Sequence, residues 1–244
     1  MGRKRRLPGL TVKEGYMRHP FDIANQVETS GLVLGQHLTT GHAHDKHSTA
    51  YYGIAPSVLE ELMALWHGST RVAPPEDYSF IDVGAGMGRG MLVAAGKGFR
   101  EVIGVELHPD LVTLAEKNVA AWRAAGRARC PMRVVAGDVT EFAFPANPCV
   151  LYLFNPFRGP VLKKLIKHLE KSFRGRPRQL DLLYANDECV DVLEANPRWK
   201  LLWRGLIPLS AEDEAADRAI LNHQPNGEYA WSTEEPCSIW RWVG

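Results

Sequence analysis

The sequence predicts an α/β protein, a doubly wound, seven-stranded and mostly parallel sheet with an antiparallel C-terminal strand, preceded by an N-terminal arm or lid. Three observations carry this. From Pro56 onward, strand-like and helix-like segments alternate, which implies a parallel sheet covered on both faces. The first strand runs directly into a glycine-rich turn, Gly84-Ala-Gly-Met-Gly88. The last two strands have no long helical crossover between them and are expected to form an antiparallel hairpin.

The elements follow in order. Residues 1–55 are polar and weakly periodic and are assigned to the arm, with its first few residues mobile. Residues 56–244 form the sheet domain. Ser57-Val-Leu-Glu60 has the pattern of a capping box and opens a helix toward Trp66. Strand Ser79–Val83 leads into a helix from about Arg89 to Ala95. Strand Glu101–Val105 precedes a helix that starts at Pro109 and ends by Gly126. Strands Met132–Ala136 and Val150–Phe154 follow. Next come a helix from about Val161 to Phe173, strand Leu180–Tyr184, a short helix near Cys189–Ala195, and strands Lys200–Leu206 and Ser238–Val243.

Composition narrows the class. A 45% hydrophobic and 23% charged chain of 244 residues is ordinary for a globular protein. A net charge of +1 gives no global attraction to nucleic acid or membrane. No run reaches the roughly 18 apolar residues of a membrane helix, and the basic residues 3–6 lack the apolar stretch of a secretory signal. Cys130, Cys149, Cys189 and Cys237 are scattered, which favours reduced thiols and a cytoplasmic setting.

The segment Phe80-Ile-Asp-Val-Gly-Ala-Gly-Met-Gly-Arg-Gly90 carries most of the functional information. Asp82, Gly84, Gly86 and Gly88 alternate at every second position. A dinucleotide site of the G-x-G-x-x-G type needs a third glycine where Arg89 stands. The acid before the glycines would repel a diphosphate and suits a cationic ligand. The pattern resembles the first motif of the class I S-adenosylmethionine-dependent methyltransferases.

Ligands of open α/β sheets bind outside the carboxyl ends of the strands, and further polar residues stand at such ends. Glu106, 22 residues after Gly84, is placed to accept both ribose hydroxyls. Asp138 is placed to accept from the adenine amino group, and Leu107 and Val139 to flank the ring. The alternative for each acid is a helix cap or a solvated loop charge. The resemblance covers the chain from Pro56 onward. It implies S-adenosyl-L-methionine bound at Gly84, Gly86, Gly88, Glu106 and Asp138. Tyr51-Tyr52-Gly-Ile-Ala-Pro56-Ser57 is similar to the segment that folds over the methionine end in that family. The arm from His19-Pro-Phe-Asp22 to Tyr52 looks like that of some uncharacterised bacterial methyltransferases.

Leu151-Tyr-Leu-Phe-Asn-Pro-Phe157 resembles the Asn/Asp-Pro-Pro-Tyr/Phe motif of amino-group methyltransferases. The resemblance implies that Asn155 and Pro156 orient the acceptor and that Phe157 stacks on it. A single proline places Phe157 one position early. The alternative reading makes Asn155 a strand-end cap and Pro156 a helix start.

The expected function is therefore methyl transfer to an unidentified acceptor, a nitrogen of a small molecule or protein side chain. The alternatives are a nucleic-acid base methyltransferase and a noncatalytic S-adenosylmethionine-binding module. His37, His42, His44 and His47, with Asp45, leave three readings open: zinc or iron ligands, an active-site lid that could supply a base, or an ordinary polar loop; their spacing matches no metal motif, and no metal is assigned. The basic stretch from Arg158 to Arg178 is read as a solvated helix face, because Leu162, Leu165, Ile166, Leu169 and Phe173 form its buried stripe. The tryptophans of the last fifth are assigned to packing.

Overall fold

The computed structural model describes residues 17–223 and 230–244. The basic residues 3–6 lie outside the described residues. Seven strands form one sheet: β1 (Ser79–Val83), β2 (Glu101–Glu106), β3 (Met132–Ala136), β4 (Cys149–Phe154), β5 (Leu180–Ala185), β6 (Trp199–Pro208) and β7 (Glu234–Trp242), ordered β3-β2-β1-β4-β5-β7-β6. The chain starts in the middle and reverses direction between β1 and β4. Those two strands pair in parallel from Ser79↔Cys149 to Val83↔Leu153. All five residues of β1 are buried, as expected for a central parallel strand.

Successive residues of each central strand serve two cores. Phe80, Tyr152 and Leu183 join one face with Leu59, Leu62, Met63 and Trp66 of α2 (Pro56–His67). Ile81, Leu151 and Leu182 join the other with Leu162, Leu165, Ile166 and Leu169 of α5 (Gly159–Ser172). The predicted stripe of α5 is therefore the buried one. The remaining helices are α1 (Pro20–Asn25), α3 (Arg89–Ala94), α4 (Pro109–Ala124), α6 (Asp191–Glu194) and α7 (Ala211–Asn222). Among the described residues, no helix is long and apolar enough to cross a membrane.

Two expectations are corrected. Strands β6 and β7 are antiparallel neighbours, but α7 joins them, so they are not a hairpin. Ser210 caps α7 by accepting from the Asp213 N–H at 3.1 Å. Ser57 does not cap α2, which begins at Pro56 with Ala55 as its N-cap. Instead the Ser57 N–H donates to Asp213 Oδ2 (2.8 Å) and its hydroxyl accepts from the Ser210 N–H (3.0 Å). Glu60 pairs with Lys97. The acceptor that α2 needs at its first turn thus comes from α7.

Beneath the sheet's far edge, Arg241 of β7 makes two bonds to Asp181 of β5, Nε–Oδ1 at 2.6 Å and Nη2–Oδ2 at 2.7 Å. Trp66 Nε1 donates to the same carboxylate at 2.8 Å. The arrangement satisfies a fully buried charge with a planar fork and an indole.

Candidate active site

The carboxyl ends of β1, β2, β3 and β4 surround a cavity of about 120 Å³. Asp82, Gly84, Gly86, Glu106, Leu107, Asp138, Val139, Pro156 and Phe157 line it, as does Tyr52 from the segment above. The structure brings these sequence-predicted residues together. It leaves two outside. Gly88, at φ +90°, is the N-cap of α3 and packs against Ala115. Asn155 faces a second cleft.

The glycine turn is needed on steric grounds. Gly84 and Gly86 have φ of +68° and +55°. A Cβ on Gly84 would stand 2.5 Å from Pro156 Cβ, and one on Gly86 would stand 2.1 Å from Tyr51 Cε2. The turn is thus pressed between the Asn-Pro-Phe segment and the arm.

The acids have defined partners. Glu106, 7% exposed, accepts from the Gly86 N–H at Oε2 and the His108 N–H at Oε1, both at 2.8 Å. Each oxygen keeps a lone pair for a further donor. Burial raises its pKa, opposed by these backbone bonds. Asp82 accepts from the Met91 N–H, and its pKa rises to about 7, chiefly through burial and then through the Glu106 charge. Asp138 accepts from the Thr140 N–H and hydroxyl, both at 2.8 Å, and so caps a single helical turn, Val139–Glu141. The cap and the cavity lining coexist in one side chain.

The arm lies across the carboxyl edge. Thr49 Oγ1 donates to the Asn155 carbonyl at 2.6 Å, Arg158 N–H donates to the His47 carbonyl, and Ser48 bridges Phe157. Asn155 itself sits at φ +39°. Arg89 anchors the arm from below. Its buried guanidinium donates to Thr29 Oγ1, Ser30 Oγ and the carbonyls of Gly53 and Ile54, with Asp22 at 3.8 Å. Sequence reasoning saw Arg89 only as a missing glycine.

The His tract divides. Among its four histidines only His44 lines the cavity. His44 Nδ1 is 3.2 Å and His42 Nε2 3.9 Å from Asp138 Oδ2, and the three side chains are near enough to hold an ion. Hydrogen bonding argues against that use. Lys164 Nζ, a donor only, reaches His44 Nε2 at 2.9 Å, so the ring proton is on Nδ1. The His44 N–H reaches His42 Nδ1 at 3.2 Å, so that proton is on Nε2. Both ring N–H groups then face Asp138, and no imidazole lone pair points into the gap. Burial lowers the pKa of His44, with Asp138 opposing, which favours this neutral form. Lys164 belongs to the helix face expected to be merely solvated.

Two cavity residues were missed in the sequence. His108 caps α4, accepting from the Asp110 N–H. Tyr152, on β4, has a buried hydroxyl with no hydrogen-bond partner among the described residues. Its alternation within an apolar strand gave no polar signal.

No family model matches the sequence, and no curated protein matches it. Solved structures do. The chain is similar to precorrin-6y C5,15-methyltransferase from Geobacter metallireducens GS-15, with a TM-score of 0.52 at 13% identity over 82% of this chain and 94% of that one. It is also similar to an S-adenosylmethionine-dependent methyltransferase from Methanosarcina mazei, with a TM-score of 0.49 at 13% identity over 69% and 93% of the two chains. The chain shares a Rossmann-like α/β fold with that precorrin methyltransferase. At this identity the likeness is one of fold.

Proposed function

We propose that the protein is an S-adenosylmethionine-dependent methyltransferase acting on a nitrogen of a small molecule or protein side chain. The observation that carries this is the convergence of Gly84, Gly86, Glu106, Asp138 and Pro156 on one cavity at the carboxyl edge. The residues fit the cofactor. Gly84 and Gly86 line the cavity with backbone alone, and Tyr152, whose hydroxyl is orphaned, lines it too. Glu106 has lone pairs for ribose hydroxyls, and Asp138 for the adenine amine. Leu107 and Val139 supply apolar walls, while Asp82 supplies a carboxylate for an ammonium. Tyr52 closes the site from above, its hydroxyl held by Asp217 Oδ1 at 2.6 Å.

When bound, S-adenosylmethionine supplies a methyl group activated by its sulfonium. The chain supplies orientation and exclusion of water. Pro156 and Phe157 border the cavity, and Asn155 lies just beyond them, so an acceptor nitrogen held at this segment would meet the cavity's open side. Calorimetric titration with S-adenosylhomocysteine tests the reading. Binding by the wild type, weakened about tenfold or more by Glu106→Ala, is expected from the loss of a buried charged acceptor. An absence of binding by the wild type would sink the reading.

A further inference from the structure

A second cleft, of about 880 Å³, adjoins the first along the strap formed by residues 38–52 of the arm. The two share Ser48, Thr49, Ala50, Tyr52 and Phe154 as lining. Four of its wall residues are acids outside the cofactor cavity: Asp45, Glu188, Asp217 and Glu235. Asp217 is buried and bonded by Tyr52. Glu235 is partly buried, and among the described residues its carboxylate has no ion pair or hydrogen bond. Its pKa rises to about 7 through burial, then through Asp217 and Glu188. Repulsion among carboxylates in a half-enclosed space is relieved by a cation.

A separate feature marks the cleft as a binding surface. Asn155 is 7% exposed, yet its side-chain amide makes no hydrogen bond among the described residues. Its carbonyl is already used by Thr49, and the residue lines the cleft at a left-handed φ of +39°. A polar side chain in so nearly buried a residue, lining the cleft and without a protein partner, is free to bond a ligand there. The cleft also carries Lys46 and Arg158, exposed at its surface as Glu188 is, so solvent screens all three and the less exposed Asp217 and Glu235 supply the charge that acts inside the cleft. Asp45 is committed to the N–H groups of Thr40, Gly41 and His42.

We propose that this cleft is the acceptor site and takes an amine that arrives as its ammonium ion, received at Asn155 and attracted by Asp217 and Glu235, and that the ammonium gives a proton to one of these carboxylates to free the nitrogen lone pair for a methyl group. The proposal rests on the methyltransferase reading and adds the substrate class to it.

The test compares three probes of similar length, 1,5-diaminopentane, glutarate and 1,5-pentanediol, by calorimetry on the full chain with and without S-adenosylhomocysteine. The diamine is expected to bind, and the dianion and the diol to give no heat at the same concentration. Glu235→Gln is expected to weaken the diamine about fivefold, and Glu188→Gln, at an exposed position that does not threaten folding, to weaken it less. Asn155→Ala is expected to weaken it in the same sense. Equal binding of all three probes, tighter binding of glutarate, or an unchanged diamine affinity in the Glu188→Gln/Glu235→Gln double variant would overturn the proposal. S-adenosylhomocysteine binding without diamine binding overturns only this inference. Diamine binding by a chain that does not bind S-adenosylhomocysteine overturns the acceptor assignment together with the methyltransferase reading.

Discussion

The ring of Tyr51 fills the space where Gly86 would carry a Cβ, with Cε2 2.1 Å from that position. The arm and the glycine turn are therefore fitted to one another, and Tyr51 OH fixes the fit by donating to the Thr29 carbonyl at 2.6 Å. Gly86→Ala is expected to displace Tyr51 and to strain a φ of +55°, the latter costing about 1–2 kcal/mol. S-adenosylhomocysteine affinity should fall at least tenfold. Adding Tyr51→Ala should recover part of the thermal stability. Additive losses in that double-mutant cycle would show that the two residues do not press on each other.

If Asp82 receives the ligand's ammonium as proposed, S-adenosylhomocysteine affinity is expected to depend on pH. The folded pKa of Asp82 is raised to about 7 from an ordinary value near 3.8, so its protonated form is the one favoured in the free protein. Its contribution to stability is present in full at low pH and is lost as pH rises through about 7. A ligand ammonium prefers the carboxylate, so binding releases the proton. S-adenosylhomocysteine should bind more tightly at pH 8 than at pH 6, with proton release visible in buffers of different ionisation enthalpy. Asp82→Asn should flatten that dependence.

Thr49→Val removes the hydroxyl that bonds the Asn155 carbonyl at 2.6 Å while keeping the side-chain shape. A loss of about 1 kcal/mol is expected, together with faster proteolysis within residues 38–52 than in the sheet. Cleavage rates unchanged from wild type would mean that the strap is held by other contacts.

Zinc should leave the protein unmoved. The ring protons of His42 and His44 both face Asp138, and Lys164 blocks the remaining nitrogen of His44. No rise in Tm with stoichiometric zinc is expected. A rise that vanishes in His44→Ala would reverse the tautomer assignment.

Asp181→Ala should destabilise the protein by about 3–5 kcal/mol, because it strands the buried Arg241 guanidinium and the Trp66 indole. Chemical denaturation would measure it. A loss below about 1 kcal/mol would show that water reaches this pair.

Much of the fold was legible because parallel strands buried on both faces read as apolar runs, as in Phe80-Ile-Asp-Val83. The helix α7 was not. It carries many acids and few apolar residues, and its anchor, Asp213, finds partners in Ser57 and His19, far away in sequence. The cavity lining was largely readable because strand ends gather at one edge of an α/β sheet. The Arg89 hub was not readable, since its partners Asp22, Thr29, Ser30 and Gly53 lie in a segment without periodicity. Nor was the separation of Asn155 from Phe157: a left-handed residue at position 155 sends neighbouring side chains to different cavities, and a sequence does not state its φ.

The strand order has a consequence for how the chain is made. β6 touches the sheet only through β7, which is slotted between it and β5. During synthesis β5 emerges with one edge bare and β6 emerges with nothing to pair, and both wait until residues 234–242 leave the ribosome. The parallel strands β1 to β5 can assemble before then. Pairing of β7 between β5 and β6 completes the sheet, brings Arg241 onto Asp181 and carries Glu235 to the rim of the second cleft. A nascent chain stalled short of β7 would expose two unpaired strand edges to a chaperone or to another copy of itself.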